Sequence, residues 1–257
     1  MSRLKMLSWN VNGIRAAEKK GFLKWLLKES PDILCVQETK AHIEQLSKEL
    51  INPNGYKTFW VSGEKKGYSG VAIFTKPEPQ NIKTGFGIKK YDSEGRILIS
   101  DYKDFILFNI YFPNGQRDEE RLKYKLGFYD EFLKCVDGLK EKGRKIIICG
   151  DVNTAHKETD LARPKENETT SGFLPVERKW MDKFTEHGYI DTFRYFIKDS
   201  GHYTYWDPIS RARERNAGWR IDYFFITPNL LKGLKKAFIM TEVMGSDHCP
   251  LGIEIEV

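Results

Sequence analysis

Six times along this chain an apolar run meets residues that can hold a cation, donate to an anion or carry a proton. Leu7-Ser8-Trp9-Asn10-Val11-Asn12-Gly13 ends one run with two amides, and Val36-Gln37-Glu38-Thr39-Lys40 ends the next with a carboxylate. Tyr111 and Asn114 close a third run, and Asp151 and Asn153 a fourth. Asp222 opens a fifth, and Asp247 and His248 stand just before the last. Gathered at one edge of a fold, they would make a site of four carboxylates (Glu38, Asp151, Asp222, Asp247), several amides and one imidazole. Such oxygen-rich donors suit a hard divalent cation, Mg²⁺ or Mn²⁺, and not zinc.

Each residue also has a plainer reading. Asn10, Asn12, Asn114 and Asn153 are ordinary turn formers. Glu38 would suit the first turn of a helix, Tyr111 a core position with its hydroxyl at the surface, and His248 a structural role. Asp222 is sharper. In strand alternation it shares a face with Phe224 and Ile226, so either it is buried with a partner or that face is a site. His248 would satisfy it, because an Asp–His pair sets an imidazole's tautomer and supports its charge. The other histidines read as structural or surface groups. Independent turn formers would not be expected to put acid, amide, phenol and imidazole at six successive strand ends.

The elements that must position these groups are legible in the hydrophobic pattern. Strands are expected at 3–10, 33–37, 56–61, 71–75, 97–101, 105–112, 145–149, 221–227, 237–243 and 251–257. The last alternates cleanly, with Leu251, Ile253, Ile255 and Val257 on one face, whereas 105–112 is nearly all apolar, as in a strand covered on both faces. A helix is expected over 118–142, where Leu122, Leu126, Tyr129, Leu133 and Val136 recur at spacings of four and three. Others are expected at 16–28, with Phe22, Trp25 and Leu26 inward, and at 176–187, carrying Trp180 and Phe184. Many strands with fewer helices point to packed sheets covered by helices, an α/β sandwich in one domain over 1–257. Four loops (62–70, 87–95, 160–175 and 207–218) are long enough to be functional.

Composition sets bounds without choosing a function. Hydrophobic residues at 40% and charged residues at 30% of 257 describe a folded, water-compatible chain, and a net charge of +6 is compatible with a polyanionic partner. Cys35, Cys135, Cys149 and Cys249 lack zinc spacings and read as reduced thiols. The N-terminus has no signal-peptide core and no run approaches membrane-spanning length, so an intracellular protein without membrane association is expected.

Five strings go further: Trp9-Asn10-Val11-Asn12-Gly13-Ile14-Arg15-Ala16, Gln37-Glu38-Thr39-Lys40, Gly150-Asp151-Val152-Asn153, Gly218-Trp219-Arg220-Ile221-Asp222-Tyr223 and Ser246-Asp247-His248-Cys249-Pro250. They resemble the signature blocks of the exonuclease III family of apurinic/apyrimidinic endonucleases, within the endonuclease/exonuclease/phosphatase superfamily, from Leu4 to the C-terminus. The Gly-Asp-x-Asn and Ser-Asp-His blocks specify only the superfamily, and the Gln-Glu-Thr-Lys and Gly-Trp-Arg-Ile-Asp-Tyr blocks narrow it.

The resemblance implies a four-layer α/β sandwich of two packed mixed sheets flanked by helices. It also implies metal-dependent hydrolysis of the phosphodiester 5′ to an abasic site in duplex DNA. Glu38 would be the principal metal ligand, with Asn10 and Asp247, and with Asp151 and Asn153 adjoining. Asp151, placed with Asn153, would orient and deprotonate water, while Asp222–His248 and Tyr111 would meet the scissile phosphate. Asn114, Arg117, Asn167, Arg211, Arg213 and Asn216 would contact DNA, and Tyr205, Trp219 and Ile221 would line the pocket for the flipped sugar. Departures from the pattern are Asn12 where some relatives carry Asp, Thr170 in place of an amide, and the uncharged Gln116. Also implied is 3′→5′ exonuclease activity; a further hypothesis is incision beside damaged or deaminated bases such as uracil if Tyr205 and Ile221 leave the pocket roomy, and a monomer is expected. It would work on DNA in the cytoplasm, or in the nucleus of a eukaryote. The rivals are a superfamily phosphatase acting on inositol phosphates or lipids, and a non-catalytic DNA-binding member.

Overall fold

The computed structural model describes residues 3–257. Its strands are β1 (Arg3–Asn10), β2 (Ile33–Gln37), β3 (Lys57–Val61), β4 (Val71–Thr75), β5 (Asn81–Thr84), β6 (Ile97–Asp101), β7 (Ile106–Tyr111), β8 (Ile146–Asp151), β9 (Ile190–Asp191), β10 (Asp222–Ile226), β11 (Leu234–Ile239) and β12 (Leu251–Glu256). They form two six-stranded mixed sheets, ordered β11-β12-β1-β2-β4-β3 and β5-β6-β7-β8-β10-β9. The helices are α1 (Ile14–Lys19), α2 (Phe22–Glu29), α3 (Lys48–Ile51), α4 (Lys89–Asp92), α5 (Glu119–Lys140), α6 (Pro175–Glu186) and α7 (Thr192–Phe196).

Three apolar clusters define the layers. Between the sheets, Met6, Ile33 and Ile253 of the first meet Leu107, Ile147 and Phe224 of the second. Outside the first sheet Phe22 and Leu26 of α2 cover Leu7, Leu34 and Phe74. Outside the second, Phe128 and Phe132 of α5 and Trp180 and Phe184 of α6 cover Phe108, Ile148 and Phe225. The four-layer α/β sandwich follows, since β2, β4, β7, β8 and β10 are buried along their whole length on both faces.

Alternation explains where the site forms. Side chains two apart share a face, and the face turned toward the other sheet changes character along each strand. It runs Leu4, Met6, Ser8, Asn10 on β1; Ile33, Cys35, Gln37 on β2; Leu107, Asn109, Tyr111 on β7; and Ile147, Cys149, Asp151 on β8. Both strand pairs β1–β2 and β7–β8 are parallel, so their polar C-terminal ends fall at one edge. β10 runs antiparallel to β8 and brings its first residue, Asp222, beside Asp151 at the same edge.

The helix expected at 16–28 is two helices. It begins at Ile14 and breaks before Phe22, where Gly21 takes φ 96° and redirects the chain. The strand expected at 237–243 is shifted to Leu234–Ile239, with a bulge between Leu234 and Lys236. β5 and β9 were not expected: β5 is a largely exposed edge strand without apolar alternation, and β9 is two residues long. The four cysteines are free, and Cys35, Cys149 and Cys249 are buried. No helix among the described residues is long and apolar enough to cross a membrane.

Candidate active site

The polar edge opens into a cleft of about 230 Å³ lined by Glu38, Tyr111, Asn114, Asp151, Asn153, Tyr205, Trp219, Ile221, Asp247 and His248, among others. Ten residues expected to share a site therefore do so. Asn10 and Asp222, both fully buried, lie directly behind it. Asn10 Nδ2 donates to Asp151 Oδ2 at 2.8 Å, and its Oδ1 accepts from the Asn12 amide at 3.0 Å. Asn153 grips the same carboxylate, its backbone N–H on Oδ1 at 2.7 Å and its side-chain amide on Oδ2 at 3.3 Å. Only glycine can precede Asp151. Gly150 has φ 139°, and a Cβ there would lie 1.8 Å from the Ile110 carbonyl oxygen.

His248 donates from Nδ1 to Asp222 Oδ2 at 2.8 Å, and its Nε2 stands 4.0 Å from Asp151 Oδ2. Burial by itself disfavours the imidazolium. The Asp222 charge and hydrogen bond, with Asp151 and Asp247 beyond, outweigh it and raise His248 to about 10. The protonated ring thus points a second N–H into the cleft. Asp151 moves the other way for a carboxylate: burial, then the Asp222 charge, push it up to about 7 against the lowering effect of His248 and the two asparagines. Burial and the neighbouring Glu38 raise the Tyr111 phenol well above its usual range, so it stays a proton donor. The site therefore holds one carboxylate able to accept a proton and two donors for an anion.

The backbone here is strained. Asn12, Glu38, Lys40 and Asn153 all take positive φ, between 46° and 57°. Asparagine tolerates this, but for Glu38 and Lys40 it costs about 1 kcal/mol each or more. The turn at 38–40 pairs with residues 69–70, Thr39 N–H donating to the Gly70 carbonyl and Lys40 N–H to that of Ser69. Glu38 is thereby aimed into the cleft, a position the plainer reading as a helix N-terminal acid does not describe.

The donor set fits a hard divalent cation. Glu38, Asp151 and Asp247 face the cleft with oxygen only, and Asp222 Oδ1 is buried without a hydrogen-bond partner. The Lys40 ammonium lies 3.0 Å from Glu38 and also bonds Asn12 Oδ1, standing where a cation would be held. Asp151, Asp222 and His248 place one atom each within 4.8 Å of one another. Because His248 carries both protons, that trio reads as a hydrogen-bonded row beside the cation site and not as its ligand set.

Opposite the acids the wall is apolar. Ile221 packs with Ala155, Leu161 and Phe173, and Tyr205 and Trp219 cover them from the cleft side. The Tyr205 and His248 rings lie 4.9 Å apart. Sequence reasoning missed Phe173 and the Ser171–Gly172 wall, which no catalytic motif marks.

The residues expected on DNA divide. Arg117 and Arg211 are exposed and paired only with the neighbouring acids Asp118 and Glu214. Asn114 sits at the cleft and donates to Asn153 Oδ1 at 3.2 Å. Arg213 is different: it donates to the Ser246, Thr241 and Val243 carbonyls and lies 4.7 Å over the Trp206 ring. Asn216 accepts from Trp206 Nε1 and donates to the Gly201 carbonyl, and the Asn167 amide donates to the Arg163 carbonyl. Each of these three donates to a backbone carbonyl and so helps to shape its loop from within. Ile209, 93% exposed at the tip of the same loop, was not singled out by the sequence.

Residues 7–248 match the Endonuclease/Exonuclease/phosphatase family. The chain is 40% identical over 256 residues to an exodeoxyribonuclease of Bacillus subtilis (strain 168), covering 99% of this chain and 100% of that protein. It is 39% identical over 260 residues to a DNA-(apurinic or apyrimidinic site) endonuclease of Dictyostelium discoideum, covering 100% of this chain and 72% of that one. Among solved structures, an AP endonuclease from Archaeoglobus fulgidus superposes with a TM-score of 0.90 at 28% identity, over 99% of this chain and 100% of that one.

Proposed function

The chain belongs to the endonuclease/exonuclease/phosphatase family, and from that membership and the chemistry of its cleft we propose that it is a DNA repair nuclease cutting the backbone 5′ to abasic sites. One observation carries the reading. The buried Asp222–His248–Asp151 row and the apolar Tyr205–Trp219–Ile221 wall share a single cleft, so a phosphate at the acids has a surface beside it suited to a sugar without its base. Extruding such a nucleotide costs little because no base pair is lost.

Glu38, with Asp247 and Asn10, would hold Mg²⁺ or Mn²⁺, which when bound neutralises charge on the phosphate oxygens and the leaving alkoxide. The chain's own groups do the rest. Asn10 and Asn153 fix the Asp151 carboxylate, which orients a water and takes its proton as oxygen attacks phosphorus. His248 Nε2–H and the Tyr111 hydroxyl donate to the non-bridging oxygens as their charge grows. The bond from phosphorus to the 3′ oxygen of the preceding nucleotide breaks, that oxygen takes a proton from solvent water, and a 3′-hydroxyl and a 5′-deoxyribose phosphate remain.

The same chemistry at a recessed 3′ end is exonuclease digestion, which belongs to this proposal. Incision beside a deaminated base such as uracil extends it, on the ground that Tyr205 and Trp219 are only half-buried where they line the cleft. A monomer working wherever the cell keeps its DNA, the cytoplasm or a nucleus, completes it. The test is incision of an end-labelled duplex with one abasic analogue, with Mg²⁺, with Mn²⁺ and with chelator. Metal-dependent cutting 5′ to the lesion supports the reading. No cutting under either metal, with phosphate released from an inositol polyphosphate, overturns it, and a matched uracil duplex that survives the same enzyme removes the extension.

A further inference from the structure

Lys125 and Glu177 carry opposite charges with no exposed surface. Lys125 sits on α5 and Glu177 on α6, each on the stripe its helix turns inward, and their Nζ and Oε1 atoms are 2.6 Å apart. Every polar atom is engaged. Lys125 also donates to the Asn153 carbonyl at 2.7 Å and to Thr154 Oγ1 at 2.9 Å. Glu177 accepts from Ser171 Oγ at 2.8 Å, from Gly172 N–H at 2.6 Å and from Leu174 N–H at 3.0 Å.

Stability does not account for the pair. Removing two ions from water costs several kcal/mol each, and a well-packed uncharged replacement is often as stable or more so. What the pair does is connect two walls of the cleft. On one side is Asn153, which holds Asp151; on the other are Ser171 and Gly172, facing the same cleft. Ala155 N–H donates to the Gly172 carbonyl at 2.8 Å and closes the link. Gly172 lies so near Trp219 that a Cβ would stand 3.3 Å from its ring. A shift at residues 171–174 is therefore passed to the sugar wall.

We infer that Lys125 and Glu177 are a positioning pair that keeps the Asp151–Asn153 end of β8 and the 171–174 wall at one spacing. The inference rests on the hydrolysis proposed above. The pair touches neither substrate nor metal. It acts through the backbone at Asn153, Ser171 and Gly172.

The experiment replaces both residues in the full chain as Lys125→Met with Glu177→Gln, which removes the charges but keeps an acceptor for Gly172 and Leu174. The variant should melt within a few degrees of the parent. Its single-turnover rate on abasic duplex at saturating Mg²⁺ should fall about 10- to 100-fold, the scale expected for a small misplacement. A folded variant with its rate unchanged overturns the inference. Amide exchange separates this from the activity itself. Faster exchange at Ala155 and Gly172, with the core strands unaltered, supports the pair even if the parent proves not to cut abasic DNA, and unaltered exchange there overturns it.

Discussion

Asp151→Asn should remove activity and stabilise the fold. Asp151 is 1% exposed and raised to about 7 by burial and by Asp222, against an unfolded value near 4. The folded chain keeps that proton between about pH 4 and 7 while the unfolded chain has lost it. The group's contribution to stability is therefore fully present below pH 4 and lost as pH rises through 7. Above pH 7, without metal, its ionised form costs on the order of 2–4 kcal/mol. Asparagine avoids that cost but turns one amide donor toward Asn10 or Asn153, a mismatch worth about 1 kcal/mol or more. The net gain of about 1–3 kcal/mol corresponds to a rise of roughly 2–10 °C in Tm for a chain of this size. Losing the proton acceptor should cut the rate of abasic incision by about 10²–10⁴-fold. The assay is thermal unfolding in chelator from pH 4 to 8, beside single-turnover incision in Mg²⁺. The gain in Tm should disappear as pH falls toward 4, where the amide mismatch leaves the variant slightly the less stable, and it should shrink when Mg²⁺ is added. A variant less stable than the parent at pH 7.5 in chelator refutes the burial reasoning, and retained cutting refutes the role given to Asp151.

Three further outcomes are expected. Glu38→Gln should raise the Mg²⁺ concentration for half-maximal incision ~10-fold or more, because it neutralises the carboxylate now held by Lys40; an unmoved metal titration places the cation elsewhere. Arg211→Ala should flatten the salt dependence of duplex binding by about one released counterion without moving Tm, whereas Arg213→Ala should lower Tm by freeing the 241–246 carbonyls it holds; the reverse pattern would make Arg213 the phosphate contact of the two. Asp160 resists burial because Arg220 and Arg194 hold it down at about 2. It should contribute about 2 kcal/mol that is present above pH 4 and lost as pH falls through 2. Asp160→Asn should remove that acid-side dependence in denaturant titrations, and an unchanged pH profile would contradict it.

What the sequence determined by itself is the set of strand ends and what they carry. Strand alternation is strictly local, so the burial of Asp222 with Phe224 and Ile226, and its need for a partner, were readable from spacing alone. The signature strings named the family for the same reason: each is a short block at a strand end. The break at Gly21 was less legible, because one glycine in an apolar pattern marks a weak point without saying how the chain turns there. The edge strands β5 and β9 left no pattern, since little of either is buried. Lys125 and Glu177 did leave a signal, opposite charges on the buried stripes of two helices, but only the packing of α5 against α6 shows that they meet.

Tertiary structure alone decided which polar groups remain free. Arg211 and Arg213 are two residues apart in one basic loop, yet one faces solvent and the other braces three carbonyls across it. Local sequence cannot separate them, because a side chain's partners depend on which distant segment the fold sets beside it. The same is true of the proton balance. Asp151 is raised and His248 becomes a cation because β8, β10 and the loop before β12 converge at one buried edge, where charges scattered over nearly a hundred residues act on one another at a few ångströms.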